Sequence, residues 1–423
     1  MLRIFVFKLV TAVILYGSSI FEAHAANILY TEIEKLSAKH WQVSYQSQTP
    51  IKAIMFANSP DDSRIARWQP LSDAFKISYI NGREIVARKD ATTFTSVTFK
   101  LTPTYIHLPK NYAPFSPFSN NAMLLHSGRF FACPNICSGN ENLWAMAVKA
   151  PAEDNIFVDG ISYKIKTSWW DKNDGQKLYI GQQLSHDNGS YIGIVDPELS
   201  SEIAKQMELM LPKMMSILEE SYGVLPKKPM LFASYSETND GRFGHQGGTL
   251  PNQVFMHWYG HNVYKEQDAA ATLWFFAHEA AHMYQHMSGS AVDPVDNWMH
   301  EGHAEMMAKK IMLSLSPQYE GFVRAKVSEA KSHCLASVNQ STLVEQVALG
   351  NYRALYQCGF YIFNTIENGD ARINTTETLW LDYMKEITGN KKVSSDSLLS
   401  LAELSYGLSK ENNNKFRNLI GNE

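Results

Sequence analysis

After its first twenty-five residues the chain contains no apolar run that approaches the length of a membrane span, so nothing beyond that point reads as membrane-embedded. Blocks of basic residues are also missing. Lys and Arg total 38 against 42 Asp and Glu, a formal net charge of −4. A mildly acidic chain without a basic stretch gives no electrostatic case for nucleic acid. Internal repeats and low-complexity tracts are absent, which argues against a repeat architecture. Cysteine is scarce, with four in 423 residues.

What is present starts with a leader. Arg3 and Lys8 precede a short apolar run from Leu9 to Ile20, followed by Ala23-His24-Ala25, a small-x-small cleavage site. This is the layout of a secretory signal peptide, expected to be cut after Ala25. The alternative is an uncleaved anchor, but the run is short and broken for that role. No cysteine follows the run to accept a lipid. Losing Arg3, Lys8 and Glu22 takes the net charge from −4 to −5. The expected destination is the periplasm or the exterior, with no stable membrane anchor after cleavage.

Cys133, Cys137, Cys334 and Cys358 form an even set in an exported chain, which suggests two disulfides, and three pairings are open. The sequence-local solution, Cys133–Cys137 with Cys334–Cys358, is favoured. Cys133-x-x-x-Cys137 could also hold a metal or stay reduced. No second cysteine or histidine pair stands nearby to complete a structural zinc site, so a disulfide is the better reading.

The length suits two or three domains, and 45% apolar residues can build a sizeable core. Residues 26–195 read as β-rich. Asn81-Gly82 joins residues 74–80 to 83–88 as a hairpin, and Asp159-Gly160 joins 155–158 to 161–165. Further strand-like runs cover 40–45, 96–107, 143–148 and 191–195, and residues 109–121 read as a long loop. Near Asp196-Pro197 the character changes. Residues 197–222 have helical spacing with a break expected at Pro212. A buried strand is expected over 229–235, and a glycine-rich stretch leads into another over 253–258. From Gln267 onward the pattern is mainly helical, over 267–288, 301–315, 317–333, 353–367, 376–388 and 396–420. The expected class is α+β and multidomain: a signal peptide (1–25), a β-sheet or sandwich domain (26–195), a catalytic domain (196–370) and a helical extension (371–423).

The chemistry centres on His278-Glu279-Ala280-Ala281-His282. Residues four apart share a helix face, so the two imidazoles can address one metal while Glu279 reaches a water beside it. Five residues alone are only suggestive, since two surface histidines around a solvated Glu give the same string. The next feature changes the balance. Eighteen residues separate His282 from Glu301, within Trp298-Met299-His300-Glu301-Gly302-His303-Ala304-Glu305. Catalytic zinc takes three protein ligands and leaves one position open, and Glu301 is placed to be the third. Glu305, one turn later, can accept the free N–H of a ligand histidine and fix its tautomer. His286 would close the site as a fourth ligand, so a supporting or surface role suits it better. His300 and His303 read as cleft or packing residues. Trp169-Trp170 reads as β packing, with a binding surface as the alternative.

With these motifs the sequence resembles the gluzincin metallopeptidases, in particular the aminopeptidase N-type branch. That branch carries H-E-x-x-H, eighteen residues, then Glu in a W-L-N-E-G-F-A-type segment; here His300 stands in place of the Asn. The resemblance implies that His278, His282 and Glu301 bind one zinc ion per chain and that Glu279 is the general base. The branch also has a catalytic Tyr in a Y-x-x-G pattern. Here Tyr356-Gln357-Cys358-Gly359 follows Glu301 by fifty-five residues. The resemblance gives Tyr356 the role of oxyanion donor, with Tyr352 and Tyr361 as competitors. The branch's G-x-M-E-N strand corresponds in place to Gly247-Gly248-Thr249-Leu250-Pro251-Asn252. Gly247 and Gly248 would allow a peptide backbone to approach. Leu250 stands where the amine-binding Glu is expected, which counts against standard aminopeptidase specificity; Glu237 or Asp240 could substitute.

The resemblance spans about 197–370 and implies a thermolysin-like α/β plus helical catalytic domain acting on peptide or protein substrates. Two alternatives stay open: an aminopeptidase with an unusual amine site, and a catalytically degenerate relative used for binding or scaffolding.

Overall fold

The computed structural model describes residues 28–421 apart from 109–110, 239, 266–267, 286–293, 340, 370–374 and 389–393. The leader (1–25) and His286 therefore lie outside the described residues. The chain is mixed α+β, with β-sheets in its N-terminal part and helices in its C-terminal part.

The N-terminal part holds three sheets. A six-stranded sheet runs in the order 166–172, 143–149, 29–35, 41–51, 94–101 and 68–70. Its strands alternate buried and open residues, as Leu29–Lys35 does with every second side chain inward. A four-stranded sheet contains the hairpin Phe75–Ile80 and Arg83–Arg88 around Asn81-Gly82. Asn81 (φ 51°) and Gly82 (φ 75°) both take the left-handed conformation that this turn needs. The hairpin 155–158/161–163 belongs to a five-stranded sheet. Tyr45, Phe56, Trp68, Phe99 and Phe130 fill the core between these layers. Residues 109–121, expected as loop, include the short strand Phe115–Pro117, which pairs antiparallel with Met123–His126.

The second sheet system has the order 186–187, 192–195, 230–236, 253–259 and 244–250. Ile192–Val195, read from the sequence with the β-rich segment, pairs in parallel with Met230–Ser236. Between them runs the helix Ser201–Tyr222, capped by the Ser200 hydroxyl on the Ile203 N–H. It passes Pro212 without the expected break. Its buried stripe of Ile203, Met207, Leu211, Met214 and Leu218 continues on both sides of the proline, and that packing holds the helix together. The glycine-rich stretch is itself a strand, Gly244–Leu250, at the edge of the sheet and antiparallel to Gln253–Tyr259.

An apolar seam joins the two parts. Phe118, Leu124, Phe157 and Tyr179 from the N-terminal sheets pack against Ile194, Phe232, Leu250 and Phe255. Asp196 is buried at this seam and accepts from Ser119 N and Oγ and from Tyr235 N, at 2.5–3.0 Å. Among the described residues no helix is long and apolar enough to cross a membrane. Both sequence-local disulfides form, Cys133–Cys137 and Cys334–Cys358.

Candidate active site

Three helices build the site: Ala269–Gln285, Trp298–Leu315 and Arg353–Gly369. The first is apolar nearly all round, and Leu273, Phe276, Ala277 and Ala281 bury it completely. That burial carries His278 and His282 inside, one turn apart on one face. The second helix starts at Trp298, so Glu301 lies in its first turn.

His278 Nε2, His282 Nε2 and Glu301 Oε2 form a triangle with sides of 3.0, 3.2 and 3.3 Å. Tetrahedral zinc with bonds of about 2.0–2.1 Å has donor–donor edges of about 3.3 Å. The surroundings decide what these atoms are. His278 Nδ1 faces Glu305 Oε1 at 3.3 Å, and Glu305 Oε2 accepts from Trp274 Nε1 at 2.9 Å. His282 Nδ1 lies 2.7 Å from Gln285 Oε1. The Gln285 amide is oriented by its other end, which donates to His300 O at 2.8 Å and meets His303 Nδ1 at 2.7 Å. Gln285 Oε1 is placed to accept from a His282 Nδ1–H and the Glu305 carboxylate faces His278 Nδ1, an arrangement that leaves both Nε2 lone pairs to a metal. These lone pairs and a buried carboxylate oxygen that has no hydrogen-bond partner converge on one point. Three acceptors at such spacing repel one another unless a cation joins them, so the residues fit a zinc ion.

Without a metal the same groups draw in protons. Burial alone would push the His278 and His282 imidazoles down, but Glu301 outweighs it for both, with Glu305 adding for His278, and both are raised. Glu301 shows the reverse. Burial would raise its carboxyl, and the two histidines hold it well below the usual range.

Glu279 stands outside the triangle. Its Oε2 lies 2.5 Å from Thr249 Oγ1 on the edge strand, and its backbone oxygen 2.8 Å from the same hydroxyl. Tyr356 comes from the third helix, its ring stacked on His278 with centroids 5.6 Å apart. Its phenol reaches Glu301, and burial, reinforced by the Glu301 and Glu279 charges, pushes it far above the ordinary range. The helix crossing explains the placement. Built onto Gly302, a Cβ would lie 2.3 Å from the Gly359 carbonyl carbon; built onto Gly359, it would lie 2.3 Å from Trp298 O. Only glycines let these backbones touch, and that contact seats Tyr356, one turn before Gly359, over the site. Tyr361 is elsewhere, against Phe416 and Lys415.

Other sequence candidates are distributed as follows. His300 packs edge-on against Trp380, and the fully buried His303 stacks on the same ring at 4.2 Å. His303 Nε2 lies 2.7 Å from the Tyr222 hydroxyl. Gly247 and Gly248 make room for the protein's own side chains. A Cβ on Gly247 would lie 2.4 Å from Phe275 Cζ, and one on Gly248 2.6 Å from the Tyr112 hydroxyl. Tyr112 donates to Thr249 O at 2.9 Å. Leu250 is buried in the seam. Glu237 is bonded to the Tyr235 hydroxyl and lies near His261, and Asp240 pairs with Arg242. Trp169 packs half-buried on the N-terminal core, while Trp170 is exposed. Two partners escaped the sequence reading. Gln285 was within reach, being three residues after His282 on the same helix; Thr249 gave no local signal.

No protein-family model matches the chain, and no curated protein matches its sequence. Solved structures do align with 93% of it. An M1 zinc metallopeptidase from Deinococcus radiodurans is 13% identical, with 93% of that chain covered and a TM-score of 0.49. A mutant of it bound to a Tyr-Ser-Ala substrate is 12% identical, with 94% covered and a TM-score of 0.49. Yeast LTA4 hydrolase is 12% identical, with 66% covered and a TM-score of 0.49.

Proposed function

We propose that this chain is a zinc-dependent metallopeptidase that hydrolyses peptide bonds, exported to the periplasm or secreted after removal of residues 1–25. The observation that carries the reading is the triangle of lone-pair atoms on His278, His282 and Glu301, flanked by a carboxylate that is not part of it.

One zinc ion held by these three residues would supply Lewis acidity at the scissile carbonyl and make a water acidic at neutral pH. Glu279 takes the proton from the attacking water and delivers it to the leaving nitrogen. Thr249 holds that carboxylate in place. Tyr356 stays protonated across the working pH range and donates its O–H to the oxygen on which negative charge develops. Glu305 and Gln285 keep both imidazoles in the tautomer that presents Nε2.

Glu279→Gln tests the reading. The variant should bind one zinc per chain like the native protein and lose peptide hydrolysis by at least about a thousandfold. Unchanged turnover, or a native chain that takes up no zinc, refutes it. Amino-terminal sequencing of the exported protein tests the leader, with Ala26 expected as the first residue.

A further inference from the structure

We propose that the cleft continues past Glu279 into an apolar, tryptophan-walled subsite that receives an internal stretch of polypeptide, so that the chain cuts within longer peptides and not only at a free terminus. The inference rests on the metallopeptidase reading and adds the course of the substrate.

Two walls lead from the base to this subsite. On the motif helix, Met283 lies one turn beyond Glu279 on the same face. On the edge strand, Thr249 touches Glu279, and two residues further on Pro251 and Asn252 form the turn at the strand's end, with Leu250 paired to Gln253. Met283, Pro251 and Asn252 all line one cavity of about 610 Å³. The motif helix and the turn that ends the edge strand thus border the same hollow, one helical turn from the base. Its size falls within the roughly 300–1,000 Å³ of pockets that enclose a ligand.

The opposite wall comes from the N-terminal strands and carries Ile161, Trp169 and Trp170. Ile161 is 55% exposed and Trp170 54%, unusual for large apolar side chains standing together. Lys227 and Asp159 at the rim neutralise each other in a 2.6 Å pair. Asp171 and Lys172 add one further charge of each sign, so the lining carries no net charge and favours no charged side chain. Met283, one helical turn from the reactive carboxylate, and the turn two residues after Thr249 both border the hollow, and that nearness points to substrate as the occupant. Between Thr249 and Pro251 stands Leu250, turned into the seam, so the strand offers no carboxylate there to grip a free α-amine. Nothing on this stretch of strand ends the substrate at its first residue.

The test uses the zinc-loaded full chain and quenched-fluorescent peptides that share one cleaved bond. One set carries a blocked amino terminus and a matched set a free one, and both are lengthened one apolar residue at a time at either end. Blocked peptides should be cleaved, and kcat/KM should rise about tenfold as one end grows. Trp170→Ala combined with Ile161→Ser should bring that long-to-short ratio close to one. Cleavage confined to free termini, or a ratio that the double variant leaves intact, overturns the proposal. Calorimetry on zinc-loaded Glu279→Gln separates this from the activity itself. Binding of a blocked apolar hexapeptide that Trp170→Ala weakens about tenfold upholds the subsite even if no peptide is cleaved. No binding, or binding indifferent to Trp170, overturns it.

Discussion

Gly302 and Gly359 touch backbone to backbone beside the His278–His282–Glu301 triangle, with no room for a methyl group on either. Gly302 follows Glu301 directly, and Gly359 lies one turn after Tyr356, so a single contact sets the distance between the Glu301 carboxylate and the phenol. Gly359→Ala must part the two helices. We expect it to lower kcat by about a hundredfold, the cost of displacing a catalytic group by about 1 Å, with zinc content retained. Tyr356→Phe should lower kcat by about a hundred- to a thousandfold through loss of the donor alone. Kinetics paired with metal analysis check both, and a Gly359→Ala enzyme with native kcat would refute the role of the crossing.

Thr249 bonds the Glu279 carboxylate from a strand thirty residues earlier. Valine has the same shape without the hydroxyl. Thr249→Val should lower kcat about ten- to a hundredfold, in line with about 1.5–3 kcal/mol for a hydrogen bond to a charged group. KM and zinc content should change little. A variant with native kcat would show that Glu279 needs no such anchor.

Gln285 fixes the His282 tautomer and links it to His300 and His303. Gln285→Leu should weaken zinc binding about ten- to a hundredfold, as measured by competition with a chelator. Full zinc affinity in that variant would sink the tautomer argument.

Lys177 is enclosed near the seam, its Nζ 3.4 Å from Ala113 O and 4.3 Å from the centre of the Phe255 ring. Burial pushes its ammonium down to about 7. The unfolded lysine keeps its proton up to about pH 10.4, so between these values the unfolded state binds more protons and stability rises with pH. Below pH 7 both states are charged and the destabilisation is complete. Lys177→Met should therefore stabilise the fold by several kcal/mol at pH 6, on the order of 4, with the gain fading towards pH 10.5. Urea unfolding at pH 6 and pH 10 reads this, and an equal gain at both would refute it.

The convergence of His278 and His282 was legible in the sequence because helix periodicity is local: residues 278 and 282 share a face whatever packs around them. The sequence also gave away both hairpins that turn on Asn81-Gly82 and Asp159-Gly160, where the turn chemistry is self-contained. The edge strand Gly244–Leu250 was not, since glycine has little preference for strands and this one exists through its pairing with Gln253–Tyr259. Pro212 misled for a related reason. A proline weakens a helix locally, but the apolar stripe on either side is held by contacts that no window of sequence displays. Thr249 was hidden because its bond to Glu279 crosses from sheet to helix.

The seam carries a last consequence. Ile192–Val195 forms part of the sheet that holds the edge strand, yet it precedes Asp196, whose carboxylate ties that sheet to Ser119. A cut in the gene at this point would strip the sheet of two strands and leave Phe232, Leu250 and Phe255 facing water. The N-terminal sheets are accordingly no detachable appendage when the chain is trimmed or grafted.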